Sequence, residues 1–162
     1  MPKVARWYAL ALLLVVLDQL SKYWISTGMR YGDARPITGF FNLVLTHNQG
    51  AAFSFLASAG GWQRGFFIVI ALAAIVLISV LIARHRGEKL FCFSMALILG
   101  GAIGNVIDRI LFGYVVDFLD FHVAGWHWPA FNLADSAISV GAVLMIADSF
   151  LPGARRADAE RE

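Results

Sequence analysis

Apolar residues run through this chain in long, nearly unbroken stretches, and the polar positions gather in a few dense clusters between them. Four stretches, about residues 7–25, 66–83, 90–111 and 133–151, are long enough, or nearly so, to cross a bilayer as helices. Between the first and second, "FFNLVLTHNQGAAFSF" places β-type residues around the turn-forming "NQG", which predicts a small sheet. "SAGGWQRGFF" predicts a short amphipathic interfacial helix leading into the second span. Between the third and fourth, "GYVVDFLDFHVAGWHWPAFN" is rich in aromatics, and Tyr114, Trp126 and Trp128 suit the depth of lipid headgroups.

Composition strengthens the membrane reading. Of 162 residues, 59% are hydrophobic and 15% charged, where a soluble domain is nearer about half apolar and a quarter charged. So small a globule cannot bury that excess, and lipid is the fitting solvent. The net charge of +2 does not argue for nucleic acid; in a membrane protein it reports loop charge. The single cysteine, Cys92, lies in an apolar run and excludes an intramolecular disulfide. Lys3 and Arg6 before the first apolar run suggest a secretory signal, but "DQLSKYW" follows where a small-residue cleavage site belongs, so the segment reads as an uncleaved helix. Residues 1–152 read as one membrane domain, and 153–162 as a disordered tail.

Depth sorts the acids. Asp108 follows Leu90 by eighteen positions, roughly 27 Å along a helix. Asp18 follows Trp7 by eleven, roughly 17 Å and past the middle. Asp135 opens the fourth helix and Asp117 closely follows the third, so four acids distant in sequence collect in one half of the membrane. Asp148, near the other end of the fourth helix, reads as a cap or interface residue. Asn105, Asp108 and Arg109 share a helix face, as do Asp18 and Lys22. Both sets fit interhelical glue with snorkelling cations, yet ionisable groups at this depth are also candidates for function. "NLAD" fits a helix start, with Asn132 as N-cap and Asp135 at N3. Spacing does not choose between Asp117 and Asp120.

The chemistry available is narrow. No G-x-S-x-G, no H-E-x-x-H and no nucleotide-binding glycine loop occurs, and His122 and His127 are poorly spaced for zinc, so neither metal nor cofactor is expected. Two close carboxylates at low dielectric share a proton; one then activates water while the other polarises a carbonyl, which suffices to hydrolyse a peptide. The same acids suit a proton relay in a small transporter, or a structural role in a non-enzymatic assembly factor.

Five blocks narrow this further: "DQLSK" at 18–22, "NQGAAFS" at 48–54, "GGAIGNVIDR" at 100–109, "VVDFLDF" at 115–121 and "FNLADS" at 131–136. In this order on four spans, they resemble the lipoprotein signal peptidases, the type II signal peptidases of bacteria, over residues 7–151. The resemblance implies an all-α membrane protein of four transmembrane helices with a small periplasmic β-cradle and a short periplasmic helix. It implies an aspartic endopeptidase of the inner membrane that removes the signal peptide from prolipoproteins, cutting before a diacylglyceryl-modified cysteine. Asp117 and Asp135 would be catalytic. Asp18, Lys22, Asn48, Gly50, Asn105, Asp108, Arg109, Asn132 and Ala134 would bind substrate or support the site. Membrane lipids would surround the enzyme and globomycin-type cyclic peptides would inhibit it. A laterally entering lipidated substrate also suggests a lid over residues 48–62, with Gly50, Gly60 and Gly61 as hinges.

Orientation follows from Lys and Arg. Lys3, Arg6, Arg84, Arg86, Lys89, Arg155, Arg156 and Arg161 fall on one side and Arg30, Arg35 and Arg64 on the other, which puts both termini in the cytoplasm and the acids toward the periplasm. Reporter fusions after Arg86 and Gly153 should therefore read as cytoplasmic, and those near Ser58 and Gly125 as periplasmic. A periplasmic signal at Arg86 would invert the topology.

Overall fold

Inside a bilayer every backbone N–H and C=O must find its partner within the protein, which is why the apolar stretches become helices. The computed structural model describes residues 4–50 and 60–150. Along the chain these form α1 (Ala5–Gly28), β1 (Ala34–Thr38), β2 (Phe41–Asn48), α2 (Trp62–Arg84), α3 (Lys89–Leu111), β3 (Val115–Val123), β4 (Trp126–His127) and α4 (Leu133–Ser149). The first three helices are long and apolar enough to cross a membrane. The fourth is shorter than residues 133–151: its 17 residues reach about 25 Å, somewhat less than the roughly 30 Å hydrocarbon core. The interfacial helix expected over 58–67 is not separate from Trp62 onward, where α2 has begun. Residues 51–59, which carry most of the expected lid, and the tail at 153–162 lie outside the described residues.

The third helix is the centre of the bundle. It packs against α1, α2 and α4, and 61% of its most apolar window is buried, against 11% for α2. Small residues make this possible. A Cβ on Gly100 would come within 2.8 Å of the Ala11 carbonyl oxygen, and one on Gly141 within 2.7 Å of the Ser94 carbonyl oxygen. On the bundle's inner side Trp7, Ile78, Ile82, Met95 and Leu99 form one apolar cluster. Leu12, Leu13, Val69, Val76 and Val143 are exposed and face the lipid.

The four strands form an antiparallel sheet in the order β1-β2-β3-β4. Its residues come from both segments between the spans. β2 pairs with β3 so that Thr46 faces Asp117 and Asn42 faces Asp120, with a register shift between Leu43 and Thr46. A second apolar cluster of Ile25, Met29, Leu45, Val116 and Phe118 seats the sheet on the end of α1. Entry into β3 depends on Gly113, whose φ of +85° is a left-handed conformation that favours glycine. It turns the chain at the end of α3, where its N–H bonds the Arg109 carbonyl.

Close helix approach at Gly100 and Gly141 should be sensitive to added volume. Gly100→Leu and Gly141→Leu should each destabilise the protein by about 1–3 kcal/mol or more, seen as a lower midpoint of thermal unfolding in detergent. Gly65→Ala, where a new Cβ meets nothing within 4 Å, should leave the midpoint unchanged or raise it. Equal losses at all three positions would contradict the packing argument.

Candidate active site

The polar residues of the outer bundle form one hydrogen-bonded network. Lys22 is its hub: its Nζ lies 2.8 Å from Asp18 Oδ2 and 3.0 Å from Asp108 Oδ2 and donates to Asn105 Oδ1 at 3.1 Å. All four residues are buried. Burying charge is costly unless the partners are complete, and here they are. Asp18 Oδ1 accepts the Ala134 N–H at 3.0 Å, at the start of α4. Asp108 Oδ2 accepts the Val116 N–H at 3.1 Å, on β3. Gln19 adds three contacts through Nε2, to Asp108 Oδ1, Asp18 Oδ2 and the Gly104 carbonyl. A Cβ on Gly104 would meet Asp18 Oδ2 at 2.5 Å, so any side chain there would displace this carboxylate from its partners.

Two carboxylates hang from this frame. Asp135 Oδ1 accepts from Asn105 Nδ2 at 2.7 Å. Asp117 Oδ1 accepts from Asn132 Nδ2 at 2.7 Å and its Oδ2 from Asn48 Nδ2 at 3.1 Å. Asn132 joins them. It is the N-cap of α4, with its Oδ1 accepting the Asp135 N–H at 2.9 Å, while its amide also reaches Asn105 Oδ1 and the Val116 carbonyl. One side chain thus caps α4 and bonds Asp117. Arg109 closes the ring: its Nη2 donates to the Gly50 carbonyl at 2.7 Å, and Gly50 N–H donates to Asn48 Oδ1. The guanidinium also lies near enough to Asp135 and Asp117 to feel both charges.

The structure therefore brings together Asp18, Lys22, Asn48, Gly50, Asn105, Asp108, Arg109, Asp117, Asn132, Ala134 and Asp135. It leaves out Asp120, which faces β4, and Asp148, buried at the opposite end of α4. Sequence reasoning missed Gln19, although a polar amide within an apolar helix next to Asp18 was a usable signal. It also missed the wall of the site. A cavity of about 450 Å³ is lined by Asp135, Asn48, Asn105 and Arg109, and closed on one side by Trp128, Pro129, Ala130 and Phe131.

The Asp117 environment is unusual for a carboxyl. Burial, and then the charge of Asp135, push its pKa up to about 7, against the hydrogen bonds from Asn48 and Asn132 and the charge of Lys22. Asp117 thus stands between its neutral and its charged form near neutral pH.

Fold and site together define a multi-pass helical membrane protein that presents paired carboxylates at one end of its bundle. Solved structures share this fold: a bacterial membrane enzyme determined by the in meso method at 2.3 Å resolution superposes with a TM-score of 0.80 at 32% identity, covering 90% of this chain and 88% of that one. A second, at 1.9 Å resolution, gives 0.76 at 32% identity, over 89% and 92%. The lipoprotein signal peptidase of Ralstonia nicotianae is 61% identical over 90% of this chain and 84% of its own length. That of Cupriavidus necator is 62% identical over 88% and 81%. Residues 10–151 match the family described as signal peptidase (SPase) II, and the chain belongs to that family. It is an aspartic endopeptidase of lipoprotein processing in the bacterial inner membrane.

With Asp117 as the acid proposed below, its proton is lost as pH rises through about 7, and peptidase activity should decline on the alkaline side of that value. Asn48→Ala removes a bond that favours the charged form, so it should shift the alkaline limb of the kcat/KM profile to higher pH. A limb that stays in place, or moves lower, would show that Asn48 does not tune this carboxyl.

Proposed function

We propose that Asp117 and Asp135 are the catalytic pair that cleaves the signal peptide from diacylglyceryl-modified prolipoproteins, before the lipidated cysteine. The observation that carries the reading is the position of Asn132, which bonds the carboxylate of one and the backbone of the other. Asp135 lines the cavity where substrate and water would meet, so it is the base. It takes a proton from water as the oxygen attacks the scissile carbonyl carbon. Asp117, which keeps its proton up to about pH 7, hydrogen-bonds the carbonyl oxygen as negative charge develops there. The carbon–nitrogen bond then breaks and the amine of the lipidated cysteine leaves with a proton from the pair. No metal or cofactor enters the scheme.

The remaining residues have supporting roles in this reading. Asn105 orients Asp135, Asn48 and Asn132 orient Asp117, and Arg109 holds the backbone at Gly50. Asp18, Lys22, Asp108 and Ala134 fix the elements that carry the pair. The site faces the periplasm at the bilayer surface with both termini cytoplasmic, which the bias of Lys and Arg supports. A lipidated cysteine then stays anchored in the membrane beside the scissile bond, and globomycin-type cyclic peptides would occupy the same cavity.

Asp117→Asn and Asp135→Asn should each lower turnover of a purified prolipoprotein by about 10²–10⁴ or more. Both variants should insert normally and melt near the wild-type temperature. Processing read by gel shift at near wild-type rate in either variant would refute the pair.

A further inference from the structure

Asp120 follows Asp117 by three residues on β3 and serves a different purpose. It is only 6% exposed, and a carboxylate so placed needs donors. It has one on each flanking strand: Asn42 Nδ2 of β2 reaches Oδ2 at 2.7 Å, and His127 Nδ1 of β4 lies 2.9 Å from both oxygens. Burial works to raise its pKa, but the bonds from Asn42 and His127 prevail and hold the carboxyl below its ordinary range. An ionised carboxylate only accepts, so the imidazole proton sits on Nδ1. The clasp forms whether or not His127 carries a charge. The His122 ring stacks on that of His127 at 4.9 Å between centroids.

What the clasp holds is weak on its own. β4 is two residues long and pairs with β3 only at His122–His127 and Val123–Trp126. Isolated hairpins are marginal in water even when longer. The chain leaving β4 is the wall of the active-site cavity, Trp128 to Phe131, and it leads directly into Asn132. Its two ends are tied to β3: Trp128 N–H bonds the Phe121 carbonyl, and Phe131 exchanges bonds with Leu119. Pro129 between them has no N–H to give. The side-chain clasp at the adjoining residue adds a second tie to the single backbone bond that holds the start of the wall.

We infer that Asp120 and His127 are positioning residues, which set the wall of the cavity for the peptide flanking the scissile bond. They touch neither carboxylate of the proposed pair, so they act on how substrate is held and not on the bond-breaking step. The inference rests on the catalytic reading above, with the lipidated prolipoprotein as the substrate.

The test uses full-length enzyme in lipid or detergent with a diacylglyceryl-modified prolipoprotein. His127→Phe keeps an aromatic ring and removes the donor. It should raise KM about tenfold while kcat stays within about twofold. His127→Asn keeps an amide N–H near the Nδ1 position and should restore KM to within about threefold of wild type. Asp120→Asn, which loses charge and one acceptor, should raise KM with kcat retained. An unchanged KM in His127→Phe would overturn the inference. So would a fall in kcat at unchanged KM, or a failure of His127→Asn to restore KM. Failure of the catalytic reading looks different in the same assay: an active Asp117→Asn enzyme, or a wild-type enzyme that leaves the substrate uncut.

Discussion

One ammonium group organises this protein. Lys22 Nζ meets Asp18 of its own helix, Asp108 of α3 and the amide of Asn105. Each partner passes the constraint onward: Asp18 to the first turn of α4, Asp108 to β3 beside Asp117, and Asn105 to Asp135. In a low-dielectric interior such a set is strong when complete and costly when broken, because removing one member strands the others without water. That asymmetry fixes the relative placement of α1, α3, α4 and β3 more sharply than apolar contact between helices can, since lipid tails solvate leucine as well as another leucine does.

The two carboxylates are held by different means. Asp135 belongs to the first turn of a helix, where the N-cap and the dipole favour an anion, and it opens onto the cavity. Asp117 belongs to a strand and is almost wholly covered, with amides on both oxygens and its pKa raised to about 7. Chemically equivalent side chains are thereby placed in unequal surroundings. The difference comes from burial and from the mutual repulsion of the pair, with Asn132 and Asn48 setting how far it goes.

Division of labour in the sheet follows from its register. β3 carries Asp117 toward the bundle and Asp120 toward β2 and β4. The first belongs to the polar network and the second to the clasp beside the wall. The bundle supplies rigidity through glycines that bring backbones together, at Gly100, Gly104 and Gly141. The sheet supplies shape at that end of the bundle, where strands from two parts of the chain meet.

Much of this was legible in the order of residues. Hydrophobic runs longer than a buried soluble helix needs, and acids where hydrocarbon belongs, establish helices, depth and a polar site, because solvation energies are properties of each residue. Helix periodicity places Asn105, Asp108 and Arg109 on one face, and capping chemistry marks Asn132 as the start of α4. Three things were decided only in space. Which of Asp117 and Asp120 meets the polar network of the bundle depends on strand register and on a register shift in β2, which local spacing does not encode. The length of α4 depends on where its last turn ends, which apolar composition blurs. The cavity wall at Trp128 to Phe131 depends on backbone bonds to β3 and on the clasp beside them, between residues on separate strands. Pairings between segments distant in sequence arise from packing and mutual burial, and those are properties of the folded whole.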